Sequence, residues 1–185
     1  MCTGNICRSA LAERLGRAYL DDALRDDASA VRLMSAGTHA VVGSAMHPDS
    51  ALVLKGFGGD PDGFVAQQLD DGLVMEADLV LAMTRGHRRD VLTLAPRALA
   101  RTFTLREAAD LLQILGDDVE LPGETLLDRG RALVKEMATA RSRRQSDVDD
   151  VVDPINRPLE AHQEAGDAIA EALLPLLGRL VALRV

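Results

Sequence analysis

Strand-length apolar runs alternating with stretches of helical spacing predict an α/β fold: one three-layer domain over residues 1–185, with a parallel sheet flanked by helices. Three observations carry this reading. Val31–Ser35 and Asp78–Met83 are short apolar runs of strand type, and helical patterns separate them. At 185 residues the chain can bury one substantial core without needing a second. Apolar residues make up 47% and charged residues 27%, the balance of an ordinary folded domain. Aromatics are only 2% with no tryptophan, so the core must be built from Leu, Val and Ala.

The elements follow in order. A first helix opens at Ser9, with Leu11, Leu15 and Tyr19 on its apolar face. Val31–Ser35 reads as a strand, and Pro48 to Lys55 carries helical spacing. Asp78–Met83 is the next strand, followed by a helix over Arg85 to Leu94. Arg101–Leu105 reads as a third strand leading into a helix over Leu105 to Leu115. Leu126, Gly130, Leu133, Val134 and Met137 trace one face of a further helix. Ile169, Leu173, Leu176, Leu177 and Leu180 repeat the pattern in the last, which Pro175 is expected to kink or interrupt. Between the last two helices, the basic run Arg141-Ser142-Arg143-Arg144 and the acidic run Ser146–Asp153 read as a solvated loop. Asp153 stands apart, because Pro154 restricts its backbone and Val151-Val152 can shield one side. In an open parallel sheet, such loops converge on a crevice at the carboxyl ends of the strands.

The densest chemistry lies at the start, in Cys2-Thr3-Gly4-Asn5-Ile6-Cys7-Arg8-Ser9. A thiolate is a nucleophile for phosphorus, and a guanidinium grips two phosphate oxygens with a fork that lysine lacks. Gly4 and Asn5 tolerate the positive φ of a tight loop whose N–H groups turn inward on an anion. The helix behind the loop points its N-terminus at the same place, favouring both a bound dianion and the Cys2 thiolate. Cys2, Arg8 and Asp153 are the candidate catalytic residues. Thr3, Gly4, Asn5, Ile6, Cys7 and Ser9 are the candidate substrate-binding set.

The formal charge of −8 and the scarcity of aromatics argue against a nucleic-acid partner. With no charged leader and no run of about 18 apolar residues, a cytoplasmic protein with no membrane partner is expected. His39, His47, His87 and His162 are scattered and, beside two cysteines, give no recognisable ligand set, so neither metal nor cofactor is expected.

The octet resembles the phosphate loop of the low-molecular-weight protein tyrosine phosphatases. Met34-Ser35-Ala36-Gly37-Thr38, Asp78–Arg85 with His87-Arg88, Phe103–Glu107 and Asp153-Pro154 are similar to further segments of that family. The resemblance implies hydrolysis of an aryl phosphate monoester, a phosphotyrosine protein for preference, through a phosphocysteine on Cys2. Asp153 would be the general acid and then base, with Asp150 and Asp149 as fallbacks, and Arg8 would hold the transferring phosphoryl. It also implies that Ser9 donates to Cys2 and that Asn5 and Ser35 lock the loop. This chain departs from the family in having Ile155-Asn156-Arg157 after Asp-Pro, where aromatics are common, Phe64 where many relatives have a histidine, and Ala10 in place of proline. Two cysteines exclude a three-thiol arsenate reductase, leaving an oxyanion-binding module or an arsenate reductase-like protein as alternatives. Cys7 is expected to form a protective disulfide with Cys2 under mild peroxide. In the family a buried strand precedes the loop, whereas here only Met1 does. The first strand is therefore expected to be missing or truncated, and the natural chain to begin upstream with an apolar run.

Overall fold

The computed structural model describes residues 1–184. The sheet is built on β1 (Val80–Ala82) and β2 (Thr102–Thr104), which pair in parallel with Val80 opposite Thr102 and Ala82 opposite Thr104. Met1 and Cys2 continue it on the other side of β1. The Met1 ammonium donates to Leu81 O at 2.7 Å, and Met83 N donates to Met1 O at 2.9 Å. Cys2 then bridges in parallel to Gly37, and Gly37 to Gln68. The lateral order is therefore β2, β1, Met1-Cys2, Gly37, Gln68.

Successive side chains of a strand face opposite sides, and here they separate two layers of helix. Val80 joins a cluster with Val74 of α3 (Asp71–Glu76) and Val91 of α4 (Arg85–Leu94). Leu81 packs instead toward the larger cores on the other face. One core joins Leu11 and Leu15 of α1 (Arg8–Leu24) and Val53 and Leu54 of α2 (Pro48–Gly56) to Ile169, Leu173 and Leu177 of α7 (Leu159–Ala182). The other sets Phe103 of β2 and Leu111 of α5 (Leu105–Leu115) against Leu133 and Met137 of α6 (Leu126–Ala140). The predicted three-layer α/β arrangement is present.

Threonine caps start three of these helices. Thr84 accepts from His87 N, Thr104 forms a reciprocal capping box with Glu107, and Thr125 forms one with Asp128. The cap at Thr104 ends β2 and begins α5 without an intervening loop.

Three expectations need correction. Val31–Ser35 is not a strand. A groove of about 410 Å³ separates it from β1, and Met1-Cys2 pairs only with the segment beyond it, through Ala36 and Thr38. Pro175 does not interrupt α7, because buried Leu173, Leu176 and Leu177 hold both sides of the missing N–H in one packed helix. The charge runs are not simply solvated. Arg144 pairs with Asp110 and with buried Asp149, Asp149 pairs also with Arg85, and Arg141 pairs with Glu107.

Candidate active site

The octet wraps the end of the Met1-Cys2 lane and runs directly into α1, whose N-cap is Cys7. Four of its carbonyls turn outward. Cys2 O accepts from Thr38 N, Thr3 O from His39 N, Gly4 O from Val41 N and Ile6 O from His47 N, at 2.8 to 3.0 Å. The N–H groups of Thr3 through Arg8 donate to no protein acceptor among the described residues. A loop with its carbonyls pinned outward and its amides free is an anion nest at a helix N-terminus. Gly37 permits the close approach of the second layer, since a Cβ there would stand 2.3 Å from Thr3 O.

Of the two residues expected to supply positive φ, only Asn5 does so, at 55°. Gly4 is not in that region. Asn5 is completely buried, and its amide is fully used: Nδ2 donates to Ser9 Oγ at 2.8 Å and Ser35 Oγ at 2.7 Å, and Oδ1 accepts from Gln67 N at 2.9 Å. This network fixes Ser9, whose hydroxyl lies 2.9 Å from Cys2 Sγ. Gln67 ties the loop further through Nε2 to Ser35 O at 2.8 Å.

Arg8 is buried, with Nη1 donating to Val151 O at 2.9 Å and Nη2 pairing with Asp153 Oδ2 at 2.5 Å. The long return from Arg8 to the loop before α7 thus brings Asp153 to the site rim, where its side chain is 42% exposed. Asp149 and Asp150 are used otherwise. Asp149 is held between Arg85 and Arg144, and Asp150 accepts from Arg85 N at the start of α4.

Two participants are not evident from sequence patterns. His87 Nε2 lies 2.9 Å from Thr3 Oγ1, and its Nδ1 lies 2.9 Å from Thr84 Oγ1. Burial, and then the Arg8 charge, pull its pKa down to about 4, so at neutral pH it is a neutral hydrogen-bonding brace. Cys7 contributes its backbone to the loop, but its thiol lies with His47 and His162, within 4.8 Å of a ring nitrogen of each. Burial pushes that thiol up to about 11. Phe64 is buried and its ring lies under the Arg14 guanidinium, so loop support at that point comes from Gln67 instead.

The sequence of residues 1–125 matches the family described as low molecular weight phosphotyrosine protein phosphatase. A probable low molecular weight protein-tyrosine-phosphatase, EpsP of Ralstonia nicotianae, is 34% identical over 107 residues, covering 58% of this chain and 68% of the relative. The low molecular weight protein-tyrosine-phosphatase of Streptomyces coelicolor is 34% identical over 125 residues, covering 66% and 73%. Among solved structures, the low molecular weight protein tyrosine phosphatase of T. tengcongensis superposes with a TM-score of 0.66 at 26% identity, covering 98% of this chain and 94% of that one. The YwlE arginine phosphatase shares the fold, with a TM-score of 0.69 at 23% identity over 97% and 91%. Asp153 lies beyond the matched residues, and its assignment to the site rests on its contact with Arg8. The outward-pinned loop and the match across residues 1–125 meet at the same octet, and the chain belongs to the low molecular weight phosphotyrosine protein phosphatase family.

Proposed function

We propose that this protein hydrolyses aryl phosphate monoesters, with phosphotyrosine in proteins as the substrate class, through a phosphocysteine on Cys2. The observation that carries the reading is the ring of free amides from Thr3 to Arg8 around a buried thiol and a buried guanidinium. A phosphate dianion entering this nest competes with Asp153 for Arg8 and frees the carboxylate, which takes up a proton from solvent and faces the ester oxygen. The Cys2 thiolate forms the S–P bond as the P–O ester bond breaks, and Asp153 gives its proton to the departing phenolate. Arg8 and the amides hold the equatorial oxygens throughout. Asp153, now a carboxylate, takes a proton from water, whose oxygen displaces sulfur from phosphorus. Ser9 donates to the leaving thiolate, supported by its 2.9 Å contact with Cys2.

The aryl preference rests on the family match, since Ile155-Asn156-Arg157 follow Asp153-Pro154 where family members commonly present aromatics; Val41 against Gly4 and exposed Ile155 two residues after Asp153 offer aliphatic surface in their place. The fold also hosts an arginine phosphatase, so the decisive experiment gives the pure protein phosphotyrosine and phosphoarginine peptides side by side. Faster turnover of phosphotyrosine, lost in Cys2→Ser, is the expected result. Preference for phosphoarginine overturns the substrate, and oxyanion binding without turnover of either makes the protein a binding module. Both cysteines are free thiols, which suits a reducing, cytoplasmic setting. Among the described residues, no helix is long and apolar enough to cross a membrane.

A further inference from the structure

Behind the phosphate loop, three elements bring soft and borderline ligands to one place. Cys7 comes from the loop, His47 is the N-cap of α2, and His162 lies in the first turn of α7. The two rings stack at 4.6 Å with an interplanar angle of 18°. Ser50 Oγ engages His162 Nδ1 at 2.8 Å, which leaves Nε2 as the ring's other functional atom. That Nε2 has no hydrogen-bond partner among the described residues, although the His162 side chain is completely buried. An orphaned polar atom at such depth calls for a partner. Asp49 Oδ2 stands 3.9 Å from it and 4.0 Å from His47 Nδ1. His47 Nδ1 accepts from Asp49 N at 3.3 Å, which puts the ring proton on Nε2; ligation through Nε2 therefore moves that proton to Nδ1, where it faces Asp49 Oδ2 in place of the backbone N–H.

We propose that Cys7, His47 and His162, with Asp49 as fourth ligand, bind a divalent cation of the zinc class. One thiolate, two neutral imidazoles and one carboxylate neutralise such an ion and match its preferred N, S and O donors. Ser50 then serves as the outer partner that fixes the His162 tautomer, with the proton on Nδ1 and the Nε2 lone pair toward the metal. Tetrahedral zinc would set S and N ligands about 3.5 Å apart, so the cluster must contract by about 1 Å, within reach of side-chain torsions. On binding, the Cys7 S–H bond gives its proton to solvent and a sulfur–metal bond forms, with no change of oxidation state. His47, 26% exposed, provides the entry side. The bound ion ties the phosphate loop to α2 and α7 and holds Cys7 away from any disulfide with Cys2.

Cobalt(II) tests this on the full chain after chelator treatment. One equivalent should produce a thiolate-to-cobalt charge-transfer band with the intense d–d bands of a tetrahedral site. The spectrum should persist in Cys2→Ser, vanish in Cys7→Ala, and need at least about tenfold more cobalt in His47→Ala, a partly exposed position where folding is easily checked by circular dichroism. His162→Gln should behave like His47→Ala. No thiolate band in the unaltered protein overturns the site, as does a band lost in Cys2→Ser but kept in Cys7→Ala, which would mean capture by the nucleophile. A band indifferent to both histidine variants overturns the ligand set.

Discussion

At the scale of single residues, the site depends on groups whose alternatives can be told apart. Cys2→Ser should abolish turnover while keeping measurable oxyanion binding, because the amides and Arg8 remain. Arg8→Lys should be severely impaired, since a point charge replaces a fork that now spans Val151 O and Asp153. Asp153→Asn should slow poor aryl leaving groups by roughly 10² to 10⁴, and slow leaving groups that need no proton far less. Equal slowing for every leaving group would reduce Asp153 to a loop-shaping role. Asn5 combines a positive φ with three buried hydrogen bonds, so two substitutions separate its duties. Asn5→Gly keeps the backbone conformation and loses the bonds, whereas Asn5→Ala loses both. Ala should therefore melt below Gly by a margin of about 1 kcal/mol, and both well below the native protein. Equal melting of the two would show that the positive φ imposes no cost.

Among elements, legibility follows contiguity. The phosphate loop could be read because its functional atoms sit in eight successive residues, and α4 and α5 because a helical stripe repeats within a few turns. Val31–Ser35 has a strand's composition, yet pairing depends on a neighbour within hydrogen-bonding reach, and the groove keeps β1 out of that reach. Cys7, His47 and His162 meet only when α2 and α7 close on the loop, so no spacing rule could announce them. The acidic run illustrates the same limit. Asp149 and Asp153 lie in one acidic run and only the proline after Asp153 sets it apart, but one is clamped by Arg85 and Arg144 while the other reaches Arg8. That clamp makes a prediction at this scale. Arg144→Met removes one of the two arginines that hold buried Asp149, leaving Arg85, and loosens the segment that carries Asp153. Stability should fall by about 1 to 2 kcal/mol, less than for a buried charge left wholly unpaired. The rate with a poor aryl leaving group should fall more than the rate with one that needs no proton, because the acid is displaced while the phosphate loop stays intact. A uniform loss of rate would detach the clamp from the acid's position.

Across the whole molecule, the buried neutral histidines set a pH dependence whose sign follows from linkage. His87 titrates at about 4 in the folded protein against an ordinary 6.5, because burial and Arg8 both oppose its charge. Between those values the unfolded chain binds a proton that the folded chain refuses, so stability rises with pH across the window and is fully present above 6.5. His162 is lowered by burial and by His47, and it acts in the same direction. The His87 share can approach ~3 kcal/mol, the free-energy equivalent of its shift. His87→Gln keeps an amide that can still brace Thr3 but cannot titrate. Urea midpoints measured at pH 4.5 and 7.5 should therefore differ less in His87→Gln than in the native protein, with the gap closing mainly at the acid end. The same substitution should leave far-UV circular dichroism at neutral pH unchanged, since His87 caps no core packing of its own and α4 keeps its Thr84 cap. If native and variant proteins lose stability in parallel on acidification, the brace at Thr3 is not the source of the acid sensitivity, and His162, lowered in the same direction, becomes its origin.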